Sequence, residues 1–307
     1  MNTREVLNDI QNYKVFESLV ETMRTIGSSL YPRLDKKLIP VNANLNSLKA
    51  GMNSVKEYLV DKEIQSDFVK KFFSGEEKGK VLIVVIGSNR AFCGDLNRKI
   101  VKSSNELIDE YINTSQDYSI ISVGKKLANS FNQYSSKLII NEAFPEKSFK
   151  SNNYSELSDL LNKIIKEDFS KLTIVYTKID KASGNIKTGV EVTDLAPYTD
   201  ENGVPSLSKN DFLQRPFIIE PTPVEDTISN LIVQYLFTAL HAFMLHSFTS
   251  ENYQRMNAMN QASTSIKEVI MRSTRMLAKE RKRVITKNLI EVISASIQEK
   301  ELEKQIR

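Results

Sequence analysis

The chain has 307 residues, with 42 lysines and arginines against 38 aspartates and glutamates, so its formal net charge is only +4. This mild balance excludes a histone-like polybasic protein, although it leaves room for a local basic track. The single cysteine, Cys93, excludes an internal disulfide framework and a cysteine-rich metal site.

The first predicted element is a long helical arm over residues 3–70. From Ile26 to Leu38 its apolar residues follow one another in steps of four, a stutter that locally unwinds a supercoil, and Pro32 lies within it. Elsewhere the steps alternate between three and four, as in the a/d seam of a coiled coil. The sequence therefore predicts one arm with a defect near 30–40, and two separate helices are the alternative. The apolar residues of the seam are Phe16, Leu19, Met23, Ile26, Leu30, Leu34, Leu38, Val41, Leu45, Leu48, Met52, Val55 and Leu59.

The middle of the chain alternates between strand and helix patterns. The run KVLIVVI at 80–86 is short, unbroken and rich in valine and isoleucine, which predicts a buried strand of a parallel sheet. Strands alternating with helices indicate a small Rossmann-like α/β domain. The other predicted strands are 118–123, 171–179 and an antiparallel partner at 185–195, and the predicted helices are 94–113, 124–134 and 154–168.

The C-terminal segment reads as one very long helix. Neither proline nor glycine occurs between Pro223 and the C-terminus, and apolar or small residues recur at helical spacing from 228 to 270. A helix of about 84 residues would be roughly 125 Å long, too long for a small domain to cover. We therefore expect it to pair with the N-terminal arm over part of its length and to enter a partner over the rest.

The expected fold is thus α/β, with a long antiparallel coiled coil of the N- and C-terminal helices flanking a small Rossmann-like domain. The predicted boundaries are an N-terminal coiled-coil helix at 1–78, the α/β domain at 79–216 and the C-terminal coiled-coil helix at 217–307.

No stretch of the sequence carries the pattern of a catalytic, cofactor or metal site. The loop GSNRAFCG at 87–94 is neither G-x-G-x-x-G nor a P-loop, because Asp95 stands where a P-loop has lysine. No Ser/His/Asp set or carboxylate pair has diagnostic spacing. His241 and His246 are five residues apart and fall on different helix faces, so we expect no metal site. The sequence predicts a chain that is not an enzyme by itself and binds no cofactor.

Membrane insertion and nucleic-acid binding are the remaining possibilities that the sequence addresses. No apolar run approaches the roughly 18–20 residues of a membrane span, so we expect no transmembrane segment. The basic run at 275–287 fits a nucleic-acid track, a solvated helix face or an ionic track for acidic loops of a protein partner. No aromatic residues interleave there for base stacking.

Four stretches resemble one family, in the right order and spacing. IGSNRAFCGDLN at 86–97 resembles the [ST]-D-R-G-L-C-G-G-L-N loop of the γ subunit of F-type ATP synthases. SENYQRMNAMNQAS at 250–263 resembles that family's S-E-x-x-A-R-M-x-A-M-x-x-A, and ITKNLIEVISASI at 285–297 its near-terminal I-T-x-E-L-x-E-I-x-x-G-A. FIIEPTP at 217–223 resembles the Y-x-Y-E-P that opens the C-terminal helix.

The resemblance implies a non-catalytic central rotor that transmits torque. Its expected partners are the α and β subunits of a catalytic hexamer, an ε-like subunit and, in the synthase case, a proton-translocating membrane ring, with no nucleic acid. The expected location is the cytoplasmic side of the cell membrane, as a peripheral subunit. The residues at matching family positions, which we expect to contact partners, are Arg90, Cys93, Glu220, Arg255, Arg281, Lys282 and Thr286.

The sequence also departs from the family pattern. Lys282 stands where the family usually has glutamine, Asn288 where it has glutamate, and Ile219 where it has an aromatic residue, and the chain ends in a charged extension at 297–307. These departures leave open a dedicated F-type-like ATPase motor that drives another process, such as surface motility. Two alternatives of other classes are a coiled-coil nucleic-acid-binding protein and a small-molecule enzyme with a Rossmann-like domain.

Overall fold

A computed structural model describes residues 3–59, 66–74, 79–127, 129–134, 136–181, 186–198 and 224–305. The described chain forms two compact units, which are treated separately below: a sheet unit, Gly27–Arg255, and a helix-pair unit, Met1–Ile26 with Met256–Arg307. The elements in chain order are α1 Thr3–Leu59, α2 Asp67–Ser74, β1 Val81–Ile86, α3 Leu96–Asn113, β2 Tyr118–Val123, β3 Leu138–Glu142, α4 Glu146–Lys150, α5 Ser155–Lys166, β4 Lys171–Asp180, β5 Lys187–Ala196 and α6 Val224–Gln305.

The five strands form one mixed sheet in the order β3-β2-β1-β4-β5. β1 pairs in parallel with both β2 and β4, so Ile83 lies between Ile120 and Thr173. β5 pairs antiparallel with β4, as the sequence predicted for this hairpin. The position of β1 at the centre explains its unbroken apolar run, because both of its faces are covered.

Alternate residues of β1 enter two different hydrophobic cores. Leu82, Val84 and Ile86 pack into the core that holds the long helices, whereas Val81, Ile83 and Val85 pack against α3. All six are fully buried. The central strand thus joins the two layers of the sheet unit, and its side chains alternate between them as the pleat requires.

Parts of the α/β region differ from the sequence prediction, which also lacked the short helix α4. The helix predicted at 124–134 is replaced, in the described residues, by two short 3-10 turns at Lys125–Leu127 and Asn132–Tyr134. Gly124 has a φ of +121°, which starts a turn instead of a helix. The strand β3 at Leu138–Glu142 was missed, because a five-residue strand has too few residues for a period to stand out.

In the sheet unit α1 and α6 run antiparallel. The rings of Tyr31 and Tyr253 are 5.2 Å apart, and Asn42 Oδ1 lies 3.1 Å from His246 Nε2, so rising numbers on α1 meet falling numbers on α6. Both helices share one core with the sheet, and Ser247 Oγ of α6 accepts a hydrogen bond from the backbone N–H of Thr177 in β4. The antiparallel pairing predicted from the sequence is confirmed over this stretch.

The N-terminal helix is continuous through its two prolines. α1 contains both Pro32 and Pro40 and ends at Leu59, which answers the question of one arm or two for these residues. Beyond it, residues 60–65 lie outside the described part of the chain, Ser66 is not helical, and a separate helix begins at Asp67. The single arm predicted over 3–70 is therefore wrong at its C-terminal end.

The helix-pair unit has a small core and corrects the predicted seam. Val6 and Ile10 of α1 pack with Leu277 of α6, whereas Phe16, Leu19 and Ile26, which were expected in the seam, are exposed. The buried residues of this part of α1 are Val6, Ile10 and Val20. They occupy seam positions of one heptad pattern, and polar residues occupy the seam positions between Ile10 and Val20. The apolar residues that the sequence analysis chose lie on a neighbouring stripe of the helix surface. The prediction failed there because an apolar residue does not by itself show which helix face meets the partner helix.

One described helix passes a test for a membrane span. An 18-residue window within Val224–Gln298 of α6 has a mean hydropathy of 1.5. The sequence analysis expected no such segment because it looked for uninterrupted apolar runs, whereas a mean value allows scattered polar residues within the window. The window is 61% buried inside the protein, and the core helix of a soluble protein passes the same test.

The predicted boundary between residues 216 and 217 and the residue Lys78 lie outside the described residues, so the three-part division stays a prediction. The side chains of the charged tail from 299 onward are likewise outside the described part, although α6 continues to Gln305.

Candidate partner-contact surfaces

The first candidate surface is the loop of residues 87–95, which follows the central strand β1. Its apex, residues 90–92, points into solvent: the Arg90 side chain is 61% exposed and Phe92 is 57% exposed. Phe92 has a φ of +66° and Gly94 a φ of +61°, so the backbone turns twice through the left-handed region. An aromatic residue held exposed in that conformation is uncommon and points to a function for the apex.

Hydrogen bonds fill the interior of this loop. Asn97 of α3 accepts a hydrogen bond from the Ser88 N–H (3.1 Å) and donates one to Ser88 Oγ (2.8 Å). Ser88 Oγ in turn donates to the carbonyl of Arg90 at 2.9 Å. A side chain at Gly87 would collide with Leu127, at 2.6 Å. The place above the sheet where Rossmann-like domains bind ligands is therefore occupied by the chain's own side chains.

Cys93 lies inside the loop and not on its surface. It is buried, and its Sγ lies 3.5 Å from Ser88 Oγ and 3.4 Å from Asn97 Nδ2. Burial raises the pKa of this thiol above its ordinary value, against the lowering effect of the Ser88 hydrogen bond. The thiol thus helps to hold the loop, and the exposed residues beside it are 90–92. A partner contact at this loop stays a prediction.

Arg90 is anchored by an acidic residue of another element. Its Nη2 lies 3.2 Å from Oε2 of Glu146, the first residue of α4, and Lys150 contacts the same carboxylate. Burial opposes ionisation of Glu146, but the hydrogen bond and charge of Lys150, together with Arg90, lower the pKa of this carboxyl below its ordinary value. The carboxylate therefore stays ionised and pairs with the guanidinium of the exposed arginine.

Arg255 was expected to contact a partner, and the structure buries it. It is 7% exposed, pairs with Glu251 (3% exposed) one helical turn earlier, and donates to Asn252 Oδ1 at 3.1 Å. Burial raises the pKa of the Glu251 carboxyl, and Arg255 opposes that rise. Both charges also influence the Cys93 thiol, so the loop and this part of α6 are neighbours. A partner contact by Arg255 stays a prediction.

The second candidate surface lies in the helix-pair unit. Arg281, Lys282 and Thr286 are all exposed on α6, where the Thr286 hydroxyl donates to the Lys282 carbonyl at 2.9 Å. Around and beyond them apolar side chains face solvent, forming what we call the terminal apolar stripe. Its members are Val284, Ile285, Leu289, Ile290, Val292, Ile293 and Ile297.

The structure thus groups the predicted residues into two sets. Arg90, Cys93 and Arg255 belong to the sheet unit, and Arg281, Lys282 and Thr286 belong to the helix-pair unit. Glu220 lies outside the described residues. The predicted contact residues did not include the partners Glu146, Asn97 and Glu251. Glu251 had a local signal in its i, i+4 spacing to Arg255 on a helix, and Asn97 ends the motif at 86–97, whereas Glu146 had none.

Among the described residues, no group of three or more histidine, cysteine, aspartate or glutamate side chains could hold a metal ion.

The comparison with known proteins agrees with the fold described above. A protein-family model described as "ATP synthase" matches residues 2–296. The ATP synthase gamma chain of Ehrlichia chaffeensis is 28% identical over 294 residues, covering 95% of this chain and 97% of its own, and that of Ehrlichia canis is 26% identical with the same coverage. A chain of the Euglena gracilis mitochondrial ATP synthase, in a structure of OSCP, F1 and c-ring, has a TM-score of 0.63 at 17% identity, covering 95% of this chain and 93% of its own.

The fold is therefore that of a gamma subunit: long N- and C-terminal helices packed together beside a mixed α/β sheet. The class is a non-catalytic subunit of a rotary ATPase. The chain belongs to the ATP synthase gamma-chain family, as a divergent member, and is the central-stalk rotor subunit of an F-type ATP synthase.

Proposed function

We propose that this chain rotates inside an F1 hexamer of α and β subunits and joins it to a c-ring, on the cytoplasmic face of the membrane, with an ε-like subunit beside it. The similar Euglena chain comes from a structure of OSCP, F1 and c-ring. A Tetrahymena thermophila chain from a central stalk and c-ring structure has a TM-score of 0.54 at 18% identity, covering 80% of this chain and 99% of its own. The gamma-chain relatives match over nearly the whole length.

The terminal apolar stripe is the observation that carries the hexamer contact. Val292 is 67% exposed and Leu289 57% exposed, on a helix that buries many of its earlier apolar residues, such as Ile232 and Met244, within the chain. Covering such a side chain contributes on the order of 1–2 kcal/mol, so a partner that encloses this part of α6 gains a substantial apolar interface. This fits a bearing of surrounding subunits.

Two polar contacts are proposed in addition to the stripe, one in each unit. Arg281 and Lys282 present cations that can meet acidic loops of the hexamer as the rotor turns. The apex at 90–92 presents an arginine and a phenylalanine, residue types that are enriched at protein interfaces. A rotor that contacts each catalytic subunit differently biases each toward a different conformation, so that nucleotide affinity depends on rotor angle.

The decisive experiment is purification of the native complex through an affinity tag on this chain, followed by identification of its subunits. We expect α- and β-type ATPase subunits, an ε-like subunit and a membrane ring. A hexamer without any ring would favour the dedicated motor over the synthase. Recovery without any ATPase hexamer would overturn the proposal.

The same preparation separates the rival classes. A strongly salt-dependent affinity of the chain for DNA, abolished by reversing the charges of Arg281 and Lys282, would favour a nucleic-acid-binding protein. We expect only weak, sequence-independent binding, because the exposed basic face has no aromatic side chains for stacking.

A further inference from the structure

A cavity of about 210 Å³ opens on the sheet unit between α1, α4 and α6. Four polar side chains line it: Lys37 of α1, Ser148 of α4, Asn152 just after α4, and His241 of α6. None of the described residues that line it is an aspartate or a glutamate. These four side chains take no part in the partner contacts proposed above, so the cavity is separate from those contacts.

Lys37 brings an uncompensated positive charge to this cavity. Its Nζ donates hydrogen bonds to the Phe149 carbonyl (2.9 Å) and to Asn152 Oδ1 (3.2 Å), and both acceptors are neutral. No carboxylate of the described residues forms an ion pair with this half-buried lysine. Buried charges are usually paired, and an ammonium group has three N–H donors. One donor and the charge of Lys37 are therefore available to an anion.

Ser148 has a buried hydroxyl without a partner. The residue is 1% exposed, and no group of the described residues forms a hydrogen bond with its Oγ. The large majority of buried hydroxyls do have a partner, because an unsatisfied one costs free energy of folding. Since Ser148 lines the cavity, an oxygen atom of a bound molecule would satisfy this group.

His241 is held in place by two aromatic rings, and its nitrogens make no hydrogen bond to a described residue. Its imidazole stacks on Phe149, with centroids 5.5 Å apart and planes at 17°, and meets the Tyr154 ring edge-on at 5.2 Å. Burial, with Lys37 nearby, lowers the pKa of His241 below its ordinary value, so the ring is neutral near pH 7. A neutral imidazole offers one N–H donor and one acceptor.

Together these groups make the cavity cationic and rich in donors. Lys37, Ser148 and His241 each have a hydrogen-bond donor that no described residue uses. Asn152, whose Oδ1 accepts from Lys37, still has its Nδ2 to donate. Hydrogen bonds to an ionised acceptor are about twice as strong as those between neutral groups. A carboxylate or a phosphate group is therefore the chemistry that this set of side chains fits.

The size and the remaining lining of the cavity indicate a molecule larger than a bare ion. Its volume is about 210 Å³, whereas a water molecule occupies roughly 30 Å³ of the liquid. The rest of the lining is mainly apolar and includes Pro40, Val41 and Leu245. Ligand sites commonly combine such an apolar lining with a small number of polar groups that orient the ligand.

We propose that this cavity binds a compact organic oxyanion, a carboxylate or phosphate group on a small apolar body, with Lys37 as its counter-ion. Ser148, Asn152 and His241 donate hydrogen bonds to the anionic oxygens, and the apolar lining covers the body. The site lies within the sheet unit, so it does not depend on assembly with a hexamer and can be tested on the full-length chain alone.

The first test uses the histidines as reporters, because the chain has only two, His241 and His246. The full-length chain with isotope-labelled histidine is titrated by NMR with benzoate, phenyl phosphate and inorganic phosphate at constant pH and ionic strength. We expect benzoate and phenyl phosphate to shift the His241 imidazole signals saturably, with a Kd on the order of 1 mM or tighter. The signals of His246, which lies near Asn42, should stay unchanged.

Benzamide, which has the size of benzoate but no charge, is the matched control ligand and should cause no saturable shift. Shifts that do not saturate, that affect both histidines equally or that benzamide reproduces would overturn the proposal. Inorganic phosphate that binds as tightly as both organic anions would overturn the apolar body and leave a site for the free ion.

The second test changes the proposed counter-ion. Lys37→Gln should weaken benzoate binding at least about tenfold because the charge is lost, whereas Lys37→Arg should retain affinity within about fivefold of the native chain. Lys36→Gln, the same change at the exposed neighbouring position, is the matched control and should bind as the native chain does. Titration calorimetry of the four proteins measures this, and native affinity in Lys37→Gln would contradict the assignment of the counter-ion and overturn the proposal.

A third variant separates binding from folding. Because the Ser148 hydroxyl has no partner among the described residues, Ser148→Ala should leave the midpoint of thermal unfolding of the ligand-free chain unchanged. The same variant should bind benzoate about two- to tenfold more weakly, the effect of losing one hydrogen bond. A midpoint well below the native one, or native affinity in a variant with a normal midpoint, would overturn the part of the proposal that assigns Ser148 to the site.

Discussion

The two units use the same two helices in opposite ways. In the sheet unit, α6 is covered by its own chain, and residues such as Ile232, Ala239 and Met244 are fully buried. In the helix-pair unit, α6 carries equally apolar residues, Leu289 and Val292 among them, that remain exposed. The helical spacing of apolar residues therefore does not distinguish residues that are buried within the chain from residues that remain exposed. Only the packing of other elements against the helix distinguishes them.

Charged residues show the same contrast. Arg255 is buried and paired with Glu251, so it belongs to the structure of the sheet unit. Arg281, 26 positions later on the same helix, is exposed and can act on another subunit. Two arginines that match family positions thus lie in different surroundings, one buried and one exposed.

The strongest test of this contrast compares Leu45→Asp with Leu289→Asp. Leu45 is buried in the sheet unit, so an aspartate there loses apolar burial and buries an unpaired charge, and we expect a loss of about 5 kcal/mol in the free energy of unfolding. Leu289→Asp should change that free energy by less than about 0.5 kcal/mol. Denaturant unfolding of the isolated chain checks both. Equal losses in the two variants would contradict the division into covered and uncovered stretches.

The second prediction concerns the buried ion pair. Arg255→Ala leaves the Glu251 carboxylate buried and unpaired, so we expect about 3–4 kcal/mol of destabilisation. Arg281→Ala, the matched control, should have almost no effect. Adding Glu251→Gln to Arg255→Ala should restore part of the loss, because the remaining group is then uncharged. Thermal or denaturant unfolding of the four proteins measures this, and a fully stable Arg255→Ala would show that the pair does not hold the helix.

The third prediction uses pH and a half-buried histidine. Burial, with Lys178 nearby, lowers the pKa of His246 from 6.5 to about 4, and Glu191 and Asp35 oppose this. Between pH 6.5 and about 4 the unfolded chain therefore binds more protons at His246 than the folded chain does. The contribution of this residue to the free energy of unfolding is thus complete above pH 6.5 and is lost as the pH falls toward 4. We expect at most about 3 kcal/mol from this residue.

Replacing the histidine isolates its contribution. His246→Gln keeps a donor or acceptor for Asn42 and removes the titration, so its stability should vary less between pH 6.5 and 4.5 than that of the native chain. Urea unfolding at several pH values provides the measurement. Identical pH profiles for the two proteins would assign the dependence to other groups, such as Glu146.

The smallest expected change in stability accompanies a large change in function. Arg281→Glu lies on an exposed helix face and should leave the free energy of unfolding within about 0.5 kcal/mol of the native value. In the assembled complex it should slow ATP turnover more than it reduces assembly, because the reversed charge repels the acidic loops that the rotor passes. Normal turnover in a fully assembled complex would remove Arg281 from the proposed contacts.

The elements that the sequence predicted well carry strong local patterns. The buried run of β1, the strand at 118–123 and the β4–β5 hairpin were all predicted from short-range apolar patterns, and the structure places each within one or two residues. β3 and the 3-10 turns were not, because a five-residue strand and a glycine-started turn depend on neighbours distant in the chain.

The candidate site was predictable only in part. The loop at 87–95 was found because its motif resembles that of the family, and the basic stretch at 275–287 was found from its charge. The side chains that pair at the loop, Arg90 and Glu146, are 56 positions apart and share no local pattern, so only the folded chain brings them together.

By itself the sequence determined the two long helices, the central parallel strands and the absence of a P-loop, because periodicity, proline and glycine placement and short motifs are local properties. The tertiary structure alone decided which apolar stripe of α1 is buried, that Arg255 and Cys93 face inward, and that the described residues of its own unit leave the terminal apolar stripe exposed. The physical reason is that burial depends on which surfaces meet, and surfaces meet through contacts between residues far apart in the chain.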